Sequence, residues 1–129
     1  MTIKKADQEW RTELSPAEYR VLRQCGTEPA GSSPLTREKR AGEFLCAGCG
    51  AALYDSAAKY ESGSGWPSFY QAKDDAVAIK SDASHGMARD EVTCANCGGH
   101  LGHRFPDGPR PTGLRYCMNG TALKFEPQS

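Results

Sequence analysis

The chain has 129 residues, of which 14 are glycine and 8 proline, which suits a single core built from short strands and many turns rather than a helical bundle. Sixteen basic and sixteen acidic side chains cancel, so the charge balance argues against a nucleic-acid-binding or membrane-binding surface. No stretch approaches the roughly 18 to 20 apolar residues of a membrane span, and an N-terminus carrying Lys4, Lys5, Asp7 and Glu9 lacks the apolar core of a signal peptide. A cytoplasmic chain is therefore expected, and its six cysteines point to metal or redox chemistry before structural disulfides.

Residues 1–14 are polar and read as loose at first. Ser15-Pro16-Ala17-Glu18 then reads as a helix start, with serine as cap, proline at the first helical position and glutamate reaching back to close a capping box. Tyr19, Leu22 and Val21 supply the buried stripe of a short helix that ends at Gly26, with Cys25 in its last turn. Pro29, Gly31 and Pro34 make residues 27–36 a loop over the body of the domain.

Glu43-Phe44-Leu45 predicts a brief strand feeding Cys46-Ala47-Gly48-Cys49-Gly50, and Ala52-Leu53-Tyr54 leads back out, so the hairpin tip is lined with thiols. The arrangement returns where Glu91-Val92-Thr93 precedes Cys94-Ala95-Asn96-Cys97-Gly98. One Cys-x-x-Cys alone could be a redox pair; two matched knuckles predict one tetrahedral zinc ion held by Cys46, Cys49, Cys94 and Cys97. With 44 residues between Cys49 and Cys94, the metal would pin two hairpins of a larger β domain. Four thiolates leave no open coordination position, so the ion is structural.

Between the knuckles, Ser62-Gly63-Ser64-Gly65 precedes Trp66, Phe69 and Tyr70. Phe69 and Tyr70 read as core, while Trp66 suits a binding wall and a core position equally. Residues 74–79 read as a turn into a strand and residues 89–93 as another strand. Residues 81–86 form a polar turn in which His85 is a hydrogen-bonded loop residue rather than a catalyst. Residues 122–125 alternate as a closing strand.

Two histidines three residues apart, His100 and His103, come shortly before Cys117, which has Arg115 two residues before it and Asn119 two after. On a strand, alternate side chains share a face, so Arg115, Cys117 and Asn119 point the same way. A thiol between a cation and an amide, with imidazoles in reach, is an arrangement that lowers a cysteine pKa and aims a thiolate, although most lone cysteines are small buried apolar residues. With four cysteines assigned to zinc, Cys25 and Cys117 remain. A nucleophile and a second thiol at a helix end beside a movable loop suggest redox turnover, in which a thiolate attacks, is oxidised and is resolved. No nucleotide-binding glycine loop opens a helix, so an organic cofactor is not expected. The other reading left open is a zinc-stabilised binding module without catalysis.

Several of these stretches together resemble the methionine-R-sulfoxide reductases, the B class. They are Ser62-Gly63-x-Gly65-Trp66-Pro67-Ser68-Phe69, Ser84-His85-Gly86-Met87, His100-Leu101-Gly102-His103 and Gly113-Leu114-Arg115-Tyr116-Cys117-x-Asn119. Tyr19-Arg20-Val21-Leu22-Arg23, Gly26-Thr27-Glu28-Pro29 and both knuckles fit in the same order, so the likeness covers residues 18–125. The resemblance implies a mainly β fold, two antiparallel sheets packed as a tent with short N-terminal helices across it. One domain over residues 1–129 would comprise an arm (1–36) and a zinc-pinned β core (42–126). It implies reduction of the R epimer of methionine sulfoxide in oxidised proteins or peptides by a monomer, with thioredoxin as reductant.

Carried over by residue, Cys117 would attack the sulfoxide sulfur and Arg115 would favour its thiolate. His103 and Asn119 would orient groups near it, with an imidazole helping to protonate the departing oxygen. His100 would shape the polar side of the pocket, and Trp66 and Phe105 would contact the substrate. The chain departs from the family at Ser64, where many members carry a resolving cysteine, at Arg104, usually apolar, and at Gly120, often serine. Serine cannot resolve a sulfenic acid. Cys25 stands where the family usually has a residue other than cysteine, and the expectation set beside the resemblance is a Cys25–Cys117 disulfide reduced by thioredoxin. The alternative is that Cys25 packs under the helix and an external thiol reduces Cys117 directly.

Overall fold

A computed structural model of the chain describes residues 7–24, 26–82 and 89–127. Two helices, α1 (Asp7–Glu13) and α2 (Pro16–Gln24), precede nine strands: β1 (Gly42–Cys46), β2 (Ala52–Asp55), β3 (Lys59–Tyr60), β4 (Ser68–Phe69), β5 (Val77–Asp82), β6 (Arg89–Cys94), β7 (His100–Phe105), β8 (Arg115–Met118) and β9 (Leu123–Pro127). They form two antiparallel sheets, in the orders β2-β1-β9 and β3-β4-β8-β7-β6-β5. The mainly β, two-sheet architecture expected from the sequence is thus the observed one.

Aromatic rings join the sheets. The Phe69 ring on β4 stacks on Tyr54 of β2 at 4.3 Å and meets Phe44 of β1 edge-on at 5.0 Å. Tyr54 is fully buried, and its hydroxyl donates to the Met118 sulfur at 3.2 Å. Because side chains alternate along β8, Tyr116 and Met118 face this core while Arg115 and Cys117 face the other way. Burying rings of this size contributes on the order of 2 kcal/mol each, so the core sets the pose of β8 without using its outer face.

The capping box of α2 forms as expected: the Glu18 amide donates to the Ser15 hydroxyl at 3.2 Å and the Ser15 amide to the Glu18 carboxylate at 2.9 Å. The N-terminal stretch differs from the expectation of a loose segment, since residues 7–13 are helical. Trp10 and Leu14 explain it: spaced by four, they share one helix face and are both buried. The Arg23 guanidinium lies 4.7 Å from the centre of the Trp10 ring and also donates to the Cys97 carbonyl, so the two helices rest on the cysteine knuckles. Of the two rings read as core, Phe69 is fully buried but Tyr70 is only half-buried, its hydroxyl reaching out to the Ala57 carbonyl at 3.3 Å. The turn at residues 74–75 leads into β5 as expected. Cys25 and His85 lie outside the described residues.

Candidate active site and metal centre

The knuckle tips between β1 and β2 and between β6 and β7 bring four sulfurs together. Those of Cys46, Cys49, Cys94 and Cys97 all lie within 4.8 Å of one another, with Cys46–Cys97 at 3.7 Å and Cys49–Cys94 at 3.6 Å. Four thiolates bound to zinc at about 2.3 Å in a tetrahedron stand roughly 3.8 Å apart, so the cluster fits a structural zinc ion. The Gly48 amide points at the Cys46 sulfur at 3.4 Å, the kind of donor that stabilises a coordinated thiolate. Gly50 and Gly98, at the matching position after each knuckle, have φ of +81° and +76°, a left-handed turn that favours glycine. Since β1 belongs to one sheet and β6 and β7 to the other, the cluster ties the two sheets together.

The second site is built on strand register. Glu91 of β6 lies opposite His103 of β7, His103 opposite Cys117 of β8, and Cys117 opposite Ser68 of β4. Directly paired residues project from the same face with Cβ atoms about 5 Å apart, so carboxylate, imidazole, thiol and hydroxyl form one row across the sheet. Such close strands need a small residue between them, and Gly102 supplies it: a Cβ there would stand 2.1 Å from the Cys117 carbonyl oxygen.

A pocket of about 400 Å³ opens above the row. Cys117, His103, Trp66, Arg115, Phe105 and Asn119 all line it, as do Ser64, Thr27 and Gly102. Arg115 is held by a two-point bond to Asp107, at 2.9 and 3.2 Å, and its guanidinium lies 4.4 Å from the centre of the Phe105 ring. Asn119 is buried, and both its amide atoms bond to backbone: Oδ1 accepts the Glu28 amide at 2.9 Å and Nδ2 donates to the Leu101 carbonyl at 3.0 Å. Trp66 is fixed by its indole N–H, which donates to the Glu28 carbonyl at 2.9 Å.

His100 is not among the pocket walls. It is 4 % exposed, with Nδ1 at 2.8 Å from the Glu91 carboxylate and its ring 5.4 Å from that of His103. Paired opposite Thr93 across an irregularity in the β6–β7 ladder, it meets the His103 ring edge-on.

Burial pushes the Cys117 thiol above its ordinary pKa, against the pull of the Ser64 hydroxyl, 3.9 Å from the sulfur, and of Arg115. The net direction is opposite to the lowered pKa expected from the flanking cation. Burial is the largest influence and outweighs both Ser64 and Arg115.

Sequence reading missed two parts of this wall. Thr27 lines the pocket, although its stretch read as a loop and as part of the family likeness, with no role given to the residue. Ser64 contacts the thiol, although it read only as the absence of a cysteine. Its place between two glycines beside Trp66 was the available signal. Gly120 has a steric reason: a Cβ there would stand 1.9 Å from the Ser33 hydroxyl. Arg104 pairs with Asp90 at 3.0 Å, away from the thiol face.

Comparison with known proteins bears on the same residues. The SelR domain matches residues 14–127. The chain is 57 % identical over 125 residues to a protein of Leptospira interrogans, covering 96 % of this chain and 95 % of that one. It is 56 % identical over 125 residues to one of Bradyrhizobium diazoefficiens, covering 96 % and 90 %, and 55 % identical over 128 residues to one of Leifsonia xyli, covering 98 % and 92 %. All three bear the name peptide methionine sulfoxide reductase MsrB.

Proposed function

The chain belongs to the SelR-domain family of the MsrB-type peptide methionine sulfoxide reductases, and from that premise we propose that it reduces the R epimer of methionine sulfoxide in peptides and oxidised proteins. The observation that carries the reading is the placement of Cys117 directly opposite His103, inside a pocket walled by Trp66, Phe105 and Arg115.

The Cys117 thiolate attacks the sulfoxide sulfur. A sulfoxide oxygen leaves only once it gains a proton, and His103, paired opposite Cys117, supplies it. The protonated oxygen leaves as water, so the Cys117 sulfur is joined to the substrate sulfur as a sulfonium. Water then attacks the Cys117 sulfur, the S–S bond breaks, methionine leaves and Cys117 becomes a sulfenic acid, so two electrons pass from thiol to sulfoxide. Ser64 and Arg115 stabilise the thiolate that burial disfavours. Trp66 and Phe105 are the apolar walls against which the substrate methyl group and side chain lie. Asn119 acts through the backbone, joining residue 28 to β7 beside the thiol, and His100 acts through Glu91 and His103.

Recycling needs a second thiol. Cys25 attacks the sulfenic acid, water leaves, and the resulting disulfide is reduced by thioredoxin. In support, Thr27 lines the Cys117 pocket, and two residues of chain span up to about 7 Å. Ser64, the residue near the sulfur on the other side, is not a thiol. We read the protein as a monomer of the cytoplasm; among the described residues no helix is long and apolar enough to cross a membrane.

The test is steady-state reduction of a peptide bearing methionine R-sulfoxide with thioredoxin, its reductase and reduced nicotinamide cofactor. Turnover by the wild type that falls at least about tenfold in Cys25→Ser, and returns when dithiothreitol replaces thioredoxin, is expected. Full thioredoxin-dependent turnover by Cys25→Ser would remove Cys25 from the cycle.

A further inference from the structure

Glu28 stands outside the pocket, yet two of its groups hold parts of the wall and a third is tied to Thr121 beyond β8. Its amide donates to Asn119 Oδ1 at 2.9 Å, and its carbonyl accepts the Trp66 indole N–H at 2.9 Å. Its carboxylate Oε1 accepts both the Thr121 amide at 2.7 Å and the Thr121 hydroxyl at 2.8 Å. The residue is 3 % exposed, and its Oε2 has no hydrogen-bond partner among the described residues. A carboxylate buried this far is costly, and a half-satisfied one more so. Simple packing would be served better by an apolar side chain.

The two backbone bonds end on side chains, Asn119, itself tied to the Leu101 carbonyl, and Trp66, which takes its orientation from the Glu28 carbonyl. The carboxylate adds a tie that ends on the main-chain amide and hydroxyl of Thr121, three residues beyond the β8 strand that carries Cys117. It thereby refers the Glu28 carbonyl, and with it the indole, to the frame of the thiol. We propose that Glu28 is a positioning residue, whose carboxylate, clamped to Thr121, holds its own carbonyl where it orients Trp66 over the Cys117 pocket. The inference rests on the reading of that pocket as the sulfoxide site. Misplacement of a substrate wall by about 1 Å can cost up to 100-fold, so the clamp has room for a large effect without touching substrate. The carboxylate charge also acts on the thiol, raising its pKa.

The experiment measures KM and kcat for a methionine R-sulfoxide peptide with dithiothreitol as reductant, so that recycling through Cys25 plays no part. Glu28→Ala removes the clamp. Glu28→Asp keeps the charge but is one methylene too short to reach Thr121 from the same backbone position, and serves if the alanine variant does not fold. Glu28→Gln keeps the acceptor without the charge. We expect KM to rise about tenfold or more in Glu28→Ala and Glu28→Asp, to stay within about threefold in Glu28→Gln, and kcat to change less than KM. In a Trp66→Phe background, which lacks the indole donor, Glu28→Asp should cost less than about threefold. The thiol of Glu28→Gln should alkylate with a profile moved to lower pH.

Unchanged KM in Glu28→Asp, or an undiminished loss in the Trp66→Phe background, would overturn the inference while leaving the pocket reading intact. No turnover by the wild-type protein would overturn the reading itself, and the inference with it.

Discussion

The sulfurs of Cys46, Cys49, Cys94 and Cys97 lie among one another, within 4.8 Å, at the tips of two hairpins, whereas the Cys117 sulfur faces a hydroxyl, a guanidinium and open pocket. The side chain is the same and the outcome is opposite. A thiol whose near neighbours are three more thiols offers a soft cation a closed tetrahedron, and nothing else can enter. A thiol set alone on a strand, with donors on its flanks and space above, can meet a substrate. The two regions are still coupled through the chain, since the second knuckle leads directly into β7. The β6–β7 pairing that starts at that knuckle is the one that sets Glu91 opposite His103.

The largest expected effect breaks only one side of the comparison. Cys117→Ser should lower methionine formation by at least about 10³-fold, while bound zinc, measured by a chromogenic chelator after denaturation, and thermal midpoint stay as in the wild type. Next, Cys94→Ser should lose the metal and lower the thermal midpoint by more than about 10 °C, because structural zinc contributes directly to folding free energy. Its activity should fall with the fraction folded, as followed by circular dichroism and turnover on the same samples.

A finer prediction concerns protonation. With the Cys117 thiol raised by burial, its thiolate fraction, and so its alkylation by iodoacetamide, should increase steadily from neutral pH upward. Ser64 pulls the pKa down, so Ser64→Ala should move that profile to higher pH and slow alkylation at pH 7 by about three- to tenfold. Smallest of all, Asp107→Asn should change the same rate by less than about threefold, because the Asp107 partner of Arg115 is largely exposed and its ion pair is screened.

Much of this contrast was legible beforehand because it rests on spacing. Cys-x-x-Cys twice over gives the cluster, and Arg115-x-Cys117 on a strand gives the shared face. What spacing could not convey is where a strand's partners lie. β7, with Gly102 in its middle and two histidines, has no alternating apolar pattern, and its glycine makes sense only once β8 is seen 2.1 Å from where a Cβ would be. The helix at residues 7–13 was hidden because only Trp10 and Leu14 mark its buried face. The raised Cys117 pKa is hidden for a related reason: sequence shows the cation beside the thiol, but not the burial that outweighs it. Nor does anything near Glu28 in the sequence reveal bonds to residues 91 and 93 positions further along the chain.

The most direct test is a single turnover without reductant. Reduced protein is mixed with peptides of defined R or S methionine sulfoxide, methionine is counted, and the state of each cysteine is read by mass. One methionine per chain from the R epimer alone, with Cys117 oxidised and the four knuckle cysteines unchanged, is the predicted result. No methionine from either epimer, or oxidation confined to Cys46, Cys49, Cys94 and Cys97 with Cys117 still a free thiol, would contradict the division of labour between the two sites.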